Sequence, residues 1–261
     1  MVNFRTYIKE SEGSVLMNNY YDMPRTKNLD RYEATKLLNT KCKKTVSSGN
    51  FLYRESKDTG SDYALTDPTS GEPRVSRNIV NYFTLLIDNL PSWKKFPKRS
   101  RSVVCSTTMA GAYGYGSGTV KKVVVPFDGV KIGLCSDSDY WDSFERIGSV
   151  YNFVNTLHRE FGLYGMEVND KSWPDLKKAL IKLSVGDVNE GPFYKFGDIT
   201  KHWDCKGDFI KHLDDILNPY DNGFKLFKAG DKLHSGNHEA WVGGKCVIVR
   251  SRIFEEFIKG I

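Results

Sequence analysis

Short β-rich runs lie in two parts of the chain, and a long helical stretch separates them. The runs occupy 50–56, 100–108, 119–135 and 224–249, and apolar residues at helical spacing recur through 136–220. This order favours one α+β domain in which the helical stretch is an insertion. No linker rich in Pro, Gly or Ser divides the chain. We therefore predict a single domain over 1–261.

The N-terminal part of the chain, 1–49, is predicted to be helical. Its stretch "NLDRYEATKLLNTKCKKTV" has apolar residues at helical spacing, and either Asn28 or Asp30 can cap the helix. A further helix is predicted for "SDYWDSFERIGSVYNFVNTLHREFG", beginning near Ser136 or Asp137.

Composition excludes several classes of protein. The hydrophobic fraction of 39% and the aromatic fraction of 13% are typical of a folded globular chain. No run of about 18 apolar residues is present, so we expect no membrane partner. The first residues, "MVNFRTYIKESEGS", have no apolar signal core, which favours a cytoplasmic location in a bacterium or in a host cell.

The cysteines and histidines give no metal-binding pattern. The five cysteines are scattered and form no CxxC pair, which argues against a disulfide framework and a zinc site. The five histidines are not at metal-ligand spacing either. We therefore expect no metal.

The net charge of +6 is modest, with one local concentration, "KKFPKRSR", at 94–101. A solvated basic surface explains this segment, and so does attraction to nucleic acid or to an anionic cofactor. The charge alone does not choose between them.

Three polar groups stand beside predicted strands. Arg54 lies in "LYRES", Ser106-Thr107-Thr108 ends "VVCSTT", and Glu239 opens the strand-like "EAWV" after a polar loop. Singly, each has an ordinary explanation: a surface ion pair for the arginine, a helix cap for the hydroxyls, and an exposed edge glutamate.

Together, in this order, the three motifs resemble those of the arginine–serine–glutamate class of mono-ADP-ribosyltransferases, which includes bacterial toxins and bacteriophage enzymes that modify host macromolecules. The resemblance spans about residues 50–250. It implies a split pair of antiparallel sheets around an NAD cleft, with flanking helices.

The resemblance also implies roles for individual residues. Arg54 would fork onto phosphate or ribose oxygens of NAD, the ADP-ribose donor substrate. Ser106 would position the catalytic carboxylate and the nicotinamide ribose, with Thr107 and Thr108 beside it. Glu239 would stabilise the positive charge that develops on the ribose as nicotinamide leaves.

Other positions follow from the same comparison. Glu55 stands where the family often has glycine and uses the backbone to hold the carboxamide of NAD. Tyr113, in "MAGAYGYG", is a candidate for stacking on nicotinamide. Asn237 occupies the acceptor-selecting position, where the family has Glu or Gln, and His238 either faces solvent or contacts the acceptor.

The implied activity is NAD-dependent transfer of ADP-ribose to a host protein or nucleic acid, with release of nicotinamide. Such an enzyme could also have a cognate antitoxin or be carried in a phage particle. The alternative is a non-catalytic structural or nucleic-acid-binding protein with a similar fold. Hydrolysis of NAD, with water as the acceptor, is a third possibility.

Overall fold

The computed structural model describes residues 26–56, 58, 60–71, 73–74, 81–112, 120–144, 147, 173–184, 193–196, 199–202, 209–233 and 235–260. Its strands are β1 (Thr26–Leu29), β2 (Leu52–Ser56), β3 (Tyr63–Thr66), β4 (Val103–Ser106), β5 (Val120–Pro126), β6 (Lys131–Leu134), β7 (Phe193–Phe196), β8 (Ile199–His202), β9 (Lys225–Lys228), β10 (Glu239–Val242) and β11 (Cys246–Arg250). Its helices are α1 (Arg31–Lys41), α2 (Lys43–Ser48), α3 (Asn81–Asn89), α4 (Trp173–Ser184), α5 (Phe209–Ile216) and α6 (Ser251–Lys259). Two short 3₁₀ turns, Pro91–Lys95 and Arg99–Arg101, follow α3.

Nine of the strands form one antiparallel sheet in the order β1-β3-β11-β5-β2-β4-β10-β6-β9, and β7 and β8 form a separate hairpin. The predicted mixture of helices and antiparallel strands is therefore confirmed. The predicted split pair is not seen in the hydrogen bonding, because the nine strands are continuous. The ladder is narrowest between β2 and β4, which pair only through Tyr53 and Ser106.

The connections between strands require this sheet to fold over on itself. Strands β10 and β11 lie four places apart in the sheet, which is about 19 Å in a flat sheet. The four residue steps from Val242 to Cys246 reach at most about 14 Å. The turn between β5 and β6 joins strands that are equally far apart in order, and it touches the β10–β11 turn, because Phe127 N–H donates to Lys245 O at 2.9 Å.

Burial agrees with a folded-over sheet. One hydrophobic cluster contains residues of the strands and their turns only, including Leu52, Cys105, Val124 and Ala240. With no helix residue among its described members, the sheet itself supplies both walls of this cluster. Two other clusters lie where helices cover the outer faces of the sheet. One brings α1 and α6 against β5 and β11, and the other brings α3, α4 and α5 against Trp241 and its neighbours.

Local sequence explains the best-defined elements. Helix α1 begins with a capping box, in which Asp30 accepts from Glu33 N at 2.7 Å and Glu33 accepts from Asp30 N at 3.3 Å. Gly133 faces Trp241 across the β6–β10 ladder, and a Cβ at Gly133 would overlap the indole. The large ring therefore packs flat over its neighbouring strand.

Some details depart from the sequence predictions. The N-terminal part contains a strand, β1, ahead of its helices, and the stretch 136–220 contains the β7–β8 hairpin as well as α4 and α5. Residues 136–144 form turns instead of the start of a helix. The carboxylates there compete for backbone N–H groups: Asp137 accepts from Ser138 N and Asp139 accepts from Trp141 N at 2.7 Å.

Candidate active site

The three strands that carry the motif residues are consecutive in the sheet, in the order β2-β4-β10. Ser106 stands directly opposite Tyr53 on one side and Glu239 on the other. Residues paired in this way across antiparallel strands share a face of the sheet. The fold thus brings Ser106 and Glu239 together, with Tyr53, the neighbour of Arg54, beside them.

The hydroxyls of the Ser-Thr-Thr motif hold the loop before Glu239. Ser106 Oγ and Thr108 Oγ1 lie 3.0 Å and 2.8 Å from Asn237 Oδ1, a residue 131 positions away from Ser106. Ser106 Oγ also accepts from Thr108 N at 3.0 Å. Gly111 packs against this group so closely that a Cβ there would overlap both Asn237 Oδ1 and Ser106 Oγ. The Ser-Thr-Thr motif and Asn237 therefore form one hydrogen-bonded unit.

Thr107 fixes the same loop through its backbone. Thr107 N donates to His238 O at 3.0 Å, His238 N donates to Thr107 Oγ1 at 2.9 Å, and that hydroxyl donates to Gly236 O at 2.7 Å. The ring of His238 lies half-buried, with Nδ1 3.1 Å from Ser136 O. His238 thus braces the loop against the turn that follows β6.

Glu239 is buried, with only 2% of its surface exposed. Its Oε1 forms an ion pair with Arg99 Nη1, and its Oε2 accepts from Tyr140 N at 3.2 Å. Burial raises the pKa of this carboxyl, and the nearby Arg99 guanidinium opposes that rise. Both oxygens are occupied, so the carboxylate is not open to a ligand in this conformation.

Arg99 is held as firmly as its partner. Its guanidinium carbon lies 3.9 Å from the centre of the Tyr140 ring, and the residue is 6% exposed. Its backbone N–H donates to Asp88 Oδ1 at 2.7 Å, and Ser100 N donates to Asp88 Oδ2 at 3.1 Å. Burial lowers the pKa of Arg99, and Glu239 outweighs this, so the net shift is upward.

Arg54 occupies the gap where β2 and β4 separate. Side chains alternate between the two faces along β2. The side chain of Arg54 therefore leaves the strand on the face that carries Leu52, opposite to the face of Ser106 and Glu239. Its Nη1 donates to Val104 O at 2.7 Å, while its Nε is buried without a hydrogen-bond partner among the described residues. Burial lowers the pKa of Arg54. The guanidinium therefore replaces a missing ladder bond and has donor capacity left over.

A third arginine stands near the other two. Arg74 N donates to Ser100 O at 2.7 Å. Burial lowers the pKa of Arg74 to about 9, and repulsion from Arg99 and Arg54 adds to the effect, with Glu239 opposing it. Positive charge is thus concentrated around the β2–β4 gap.

The remaining predicted residues are placed as follows. Glu55 is buried, at 8% exposure, and stands opposite Lys121 in the β2–β5 ladder. Asn237 is exposed. Tyr113 lies outside the described residues. Sequence reasoning did not find Arg99 or Tyr140. Arg99 lies within "KKFPKRSR", for which the sequence leaves both a solvated surface and attraction to an anion open, and nothing in the sequence distinguishes Arg99 from the exposed Lys98.

Comparisons with known proteins add no relative. The sequence matches no protein-family model, and neither a curated protein nor a solved structure matches the chain. Among the helices that the structure describes, none is long and apolar enough to cross a membrane. Within the same described residues, no group of three or more His, Cys, Asp or Glu side chains is arranged to hold a metal ion.

The site fits NAD in part. The guanidiniums of Arg54 and Arg74, with a buried unpartnered Nε on the former, suit a ligand that carries phosphates. The hydroxyls of Ser106 and Thr108 both donate to Asn237 Oδ1, so they fit a ribose only after those bonds rearrange. Glu239 does not fit as it stands, because Arg99 and the Tyr140 N–H occupy its two oxygens.

Proposed function

We propose that this chain is an NAD-dependent mono-ADP-ribosyltransferase that transfers ADP-ribose to a host macromolecule and releases nicotinamide. The observation that carries the proposal is the strand order: three motifs chosen from sequence alone fall on consecutive strands, with Ser106 paired to both Tyr53 and Glu239. Strands far apart in sequence have no local reason to be neighbours, so the agreement favours a site shared by Ser106 and Glu239. The side chain of Arg54 starts on the other face of the sheet and would reach that site through the β2–β4 gap.

The proposed cleft for NAD is the gap between β2 and β4. The two strands pair there through a single residue pair, which leaves the remaining backbone positions available for other partners. Arg54 already inserts into the gap and satisfies Val104 O. In this proposal Arg54 and Arg74 bind the phosphates, and the excess positive charge around them is neutralised when they do so.

Ser106 and Glu239 would act on the ribose. NAD supplies the ADP-ribosyl group and the nicotinamide leaving group. Glu239 would accept a hydrogen bond from the ribose 2′-hydroxyl and stabilise positive charge at the anomeric carbon, and a fixed, dehydrated anion is suited to that role. Ser106 Oγ would hold the loop before Glu239 in place through Asn237.

This role requires Arg99 to release Glu239. When the ion pair is formed, it neutralises a buried carboxylate. When the ion pair opens, that carboxylate is exposed to the ligand. Tyr140 provides the surface on which the guanidinium already rests, 3.9 Å from the ring centre. Phosphates of the bound substrate are a competing partner for Arg99, because an arginine can bind phosphate in the same forked manner as carboxylate.

For the acceptor we propose nucleic acid or a neutral side chain in preference to arginine. Asn237 is exposed, and its Oδ1 is occupied by Ser106 and Thr108, so its amide donors remain for a carbonyl-bearing acceptor. A neutral amide cannot attract or deprotonate a guanidinium as a carboxylate would. A toxin or phage enzyme acting in bacterial or host cytosol fits such a reaction.

The decisive experiment incubates the purified chain with NAD labelled on the adenylate and with cell lysate. Digestion of the labelled product with protease or with nuclease shows whether the acceptor is a protein or a nucleic acid. The Glu239→Gln variant should lose most of the label, and Glu256→Gln, which changes an exposed carboxylate on α6, is the matched control. Released nicotinamide without labelled macromolecule would indicate hydrolysis of NAD.

A non-catalytic protein is the second candidate, and the Arg99–Glu239 pair is the observation that favours it. A buried carboxylate with a partner at each oxygen is an ordinary structural element. If the wild-type chain neither binds NAD nor consumes it, and folds normally, the transferase proposal is wrong and the pair has a structural role only.

A further inference from the structure

Exposed lysines from four separate segments meet at the end of the sheet that lies away from Ser106. We call this surface the lysine patch; its members are Lys41, Lys44, Lys94, Lys95, Lys131 and Lys228, all exposed. It is not part of the candidate active site. Strand β10 begins at Glu239 and ends at Val242, a rise of about 10 Å, and Lys131 lies beyond its far end, where Gly243 N donates to Lys131 O at 3.0 Å.

Strand pairing and a bond to a backbone carbonyl bring the lysines of the patch together. Lys131 and Lys228 stand directly opposite each other in the β6–β9 ladder. Lys131 Nζ donates to Lys95 O at 2.9 Å, which ties the 3₁₀ turn to the strand. Like charges in a direct cross-strand pair destabilise a sheet. The fold therefore holds positive charges together at a cost that a bound anion would offset.

The α1–α2 junction extends the patch. Asp128 N, in the β5–β6 turn, donates to Lys41 O at 2.7 Å. Gly230, two residues after Lys228, packs so closely on Lys44 that a Cβ there would lie 2.9 Å from Lys44 Cβ. The junction is thus continuous with the β6–β9 edge.

Two carboxylates at this end of the molecule accept hydrogen bonds from backbone N–H groups. Asp128 accepts from Lys44 N and Thr45 N, both at 3.0 Å, and so caps α2. Asp231 accepts from Lys228 N at 2.9 Å. None of the six lysines has an ion pair with a carboxylate in the part of the chain that the structure describes.

An exposed aromatic ring packs on the residue that follows Lys95. Tyr220 is 54% exposed, and its ring centre lies 5.6 Å from that of the buried Phe96, the residue after Lys95. The ring is therefore held by Phe96 on one side and exposed to solvent on the other. Rings of this kind serve as platforms for bases in proteins that bind single strands.

We propose that the lysine patch, with Tyr220, binds single-stranded nucleic acid. The lysines would contact successive phosphates, and the tyrosine would stack on a base. An exposed ring next to the turn that carries Lys94 and Lys95 favours this partner over an acidic protein surface, which has no bases to stack. The binding is independent of NAD, because the patch and Glu239 lie at opposite ends of β10.

The test measures binding of a fluorescent, mixed-sequence oligonucleotide of about 15 nucleotides by anisotropy, without NAD, between about 50 and 200 mM salt. The double variant Lys131→Ser/Lys228→Ser should bind about tenfold more weakly, and the slope of log affinity against log salt should fall by about 1.4. The control, Lys177→Ser/Lys178→Ser, removes the same charge from α4 and should bind like wild type. Lys131→Arg/Lys228→Arg should also retain binding.

Tyr220 provides a second, charge-neutral test. Tyr220→Ala should weaken binding at least about fivefold, while Tyr220→Phe should not. Equal losses in the patch and control variants would overturn the proposal, as would an absence of binding at low salt. Preference for a duplex with no effect of Tyr220→Ala, or patch-dependent binding only to vesicles of phosphatidylserine and phosphatidylcholine, would overturn it as well. None of these results depends on transferase activity.

Discussion

Arg99 and Glu239 form a buried ion pair that joins the 3₁₀ turn after α3 to the start of β10. Neither residue can be removed alone without leaving a charge in the interior. The pair is therefore a stabilising contact and also the barrier that a substrate would have to overcome.

Breaking the pair from one side should cost far more stability than replacing both partners. We expect Arg99→Leu and Glu239→Leu each to lower the free energy of unfolding by about 3–5 kcal/mol, because each leaves an uncompensated buried charge. The double variant should recover most of that loss. Urea unfolding followed by circular dichroism measures all three, and additive losses in the double variant would show that the two charges are not coupled.

Glu239→Gln should separate the chemistry from binding. We expect transfer to fall by about 10²–10³-fold, since one preorganised charge contact is lost, while the Kd for NAD does not rise, because the substrate no longer has to open the Arg99–Glu239 pair. The amide leaves Arg99 unneutralised, so the variant should also be less stable, and assays belong well below its melting temperature. Turnover close to that of wild type would remove Glu239 from the mechanism.

Gly111→Ala should disturb the site without touching Glu239. The new Cβ overlaps Asn237 Oδ1 and Ser106 Oγ, so the hydrogen bonds between them must break or shift. We expect transfer to fall by about tenfold or more. We also expect the free energy of unfolding to fall by about 1–3 kcal/mol, because the new methyl group overpacks the site. Ala110→Ser, at an exposed neighbouring position, is the control. Unchanged kcat/KM in Gly111→Ala would show that the Ser106–Asn237 contact has no part in the reaction.

Asn237→Glu should change which acceptor is modified. The side chain would place a negative charge beside Ser106, where it can attract a guanidinium. We expect label to appear on arginine, detected by its release with neutral hydroxylamine. Asn237→Gln keeps the amide and should keep the original acceptor. If both variants label the same acceptor as wild type, specificity lies elsewhere on the surface.

The buried thiols should make the protein lose stability at alkaline pH. Burial raises the pKa of Cys42 and of Cys105 from the ordinary value of 9.0 to about 12. A raised folded-state pKa gives stability that is fully present below pH 9 and is lost as pH rises toward 12, because only the unfolded chain releases the protons. Urea unfolding at increasing pH should show this slope, and Cys42→Ala/Cys105→Ala should reduce it. Native thiols that react rapidly with a disulfide reagent at pH 9 would contradict the burial.

Sequence reasoning located the motif strands because each carries its own signal. Apolar and β-branched residues before Ser106 and after Glu239 predict strands whatever the rest of the chain does, and β4 and β10 lie there. The continuity of the sheet was not predictable in this way. Which strands pair depends on contacts between distant segments, and no local pattern encodes them.

The partners of the candidate residues were beyond sequence reasoning for the same reason. Arg99 and Lys98 are adjacent in one basic run, yet the former is buried and the latter exposed. What distinguishes them is Glu239 and the ring of Tyr140, both brought in by other parts of the fold. Polar residues whose burial depends on a distant partner of opposite charge look like surface residues in a sequence.

The central strands of the sheet are drawn from widely separated parts of the chain, and this affects when the site can exist. Pairing β4 with β10 closes a loop of more than a hundred residues, and closure of such loops is slow. During synthesis, a nascent chain that has not reached residue 239 lacks the carboxylate, its loop and the strand that carries them. If the chain is the transferase proposed above, ribosome-bound and prematurely terminated chains lack this residue and would be inactive, and activity would arise only after β10 has joined the sheet.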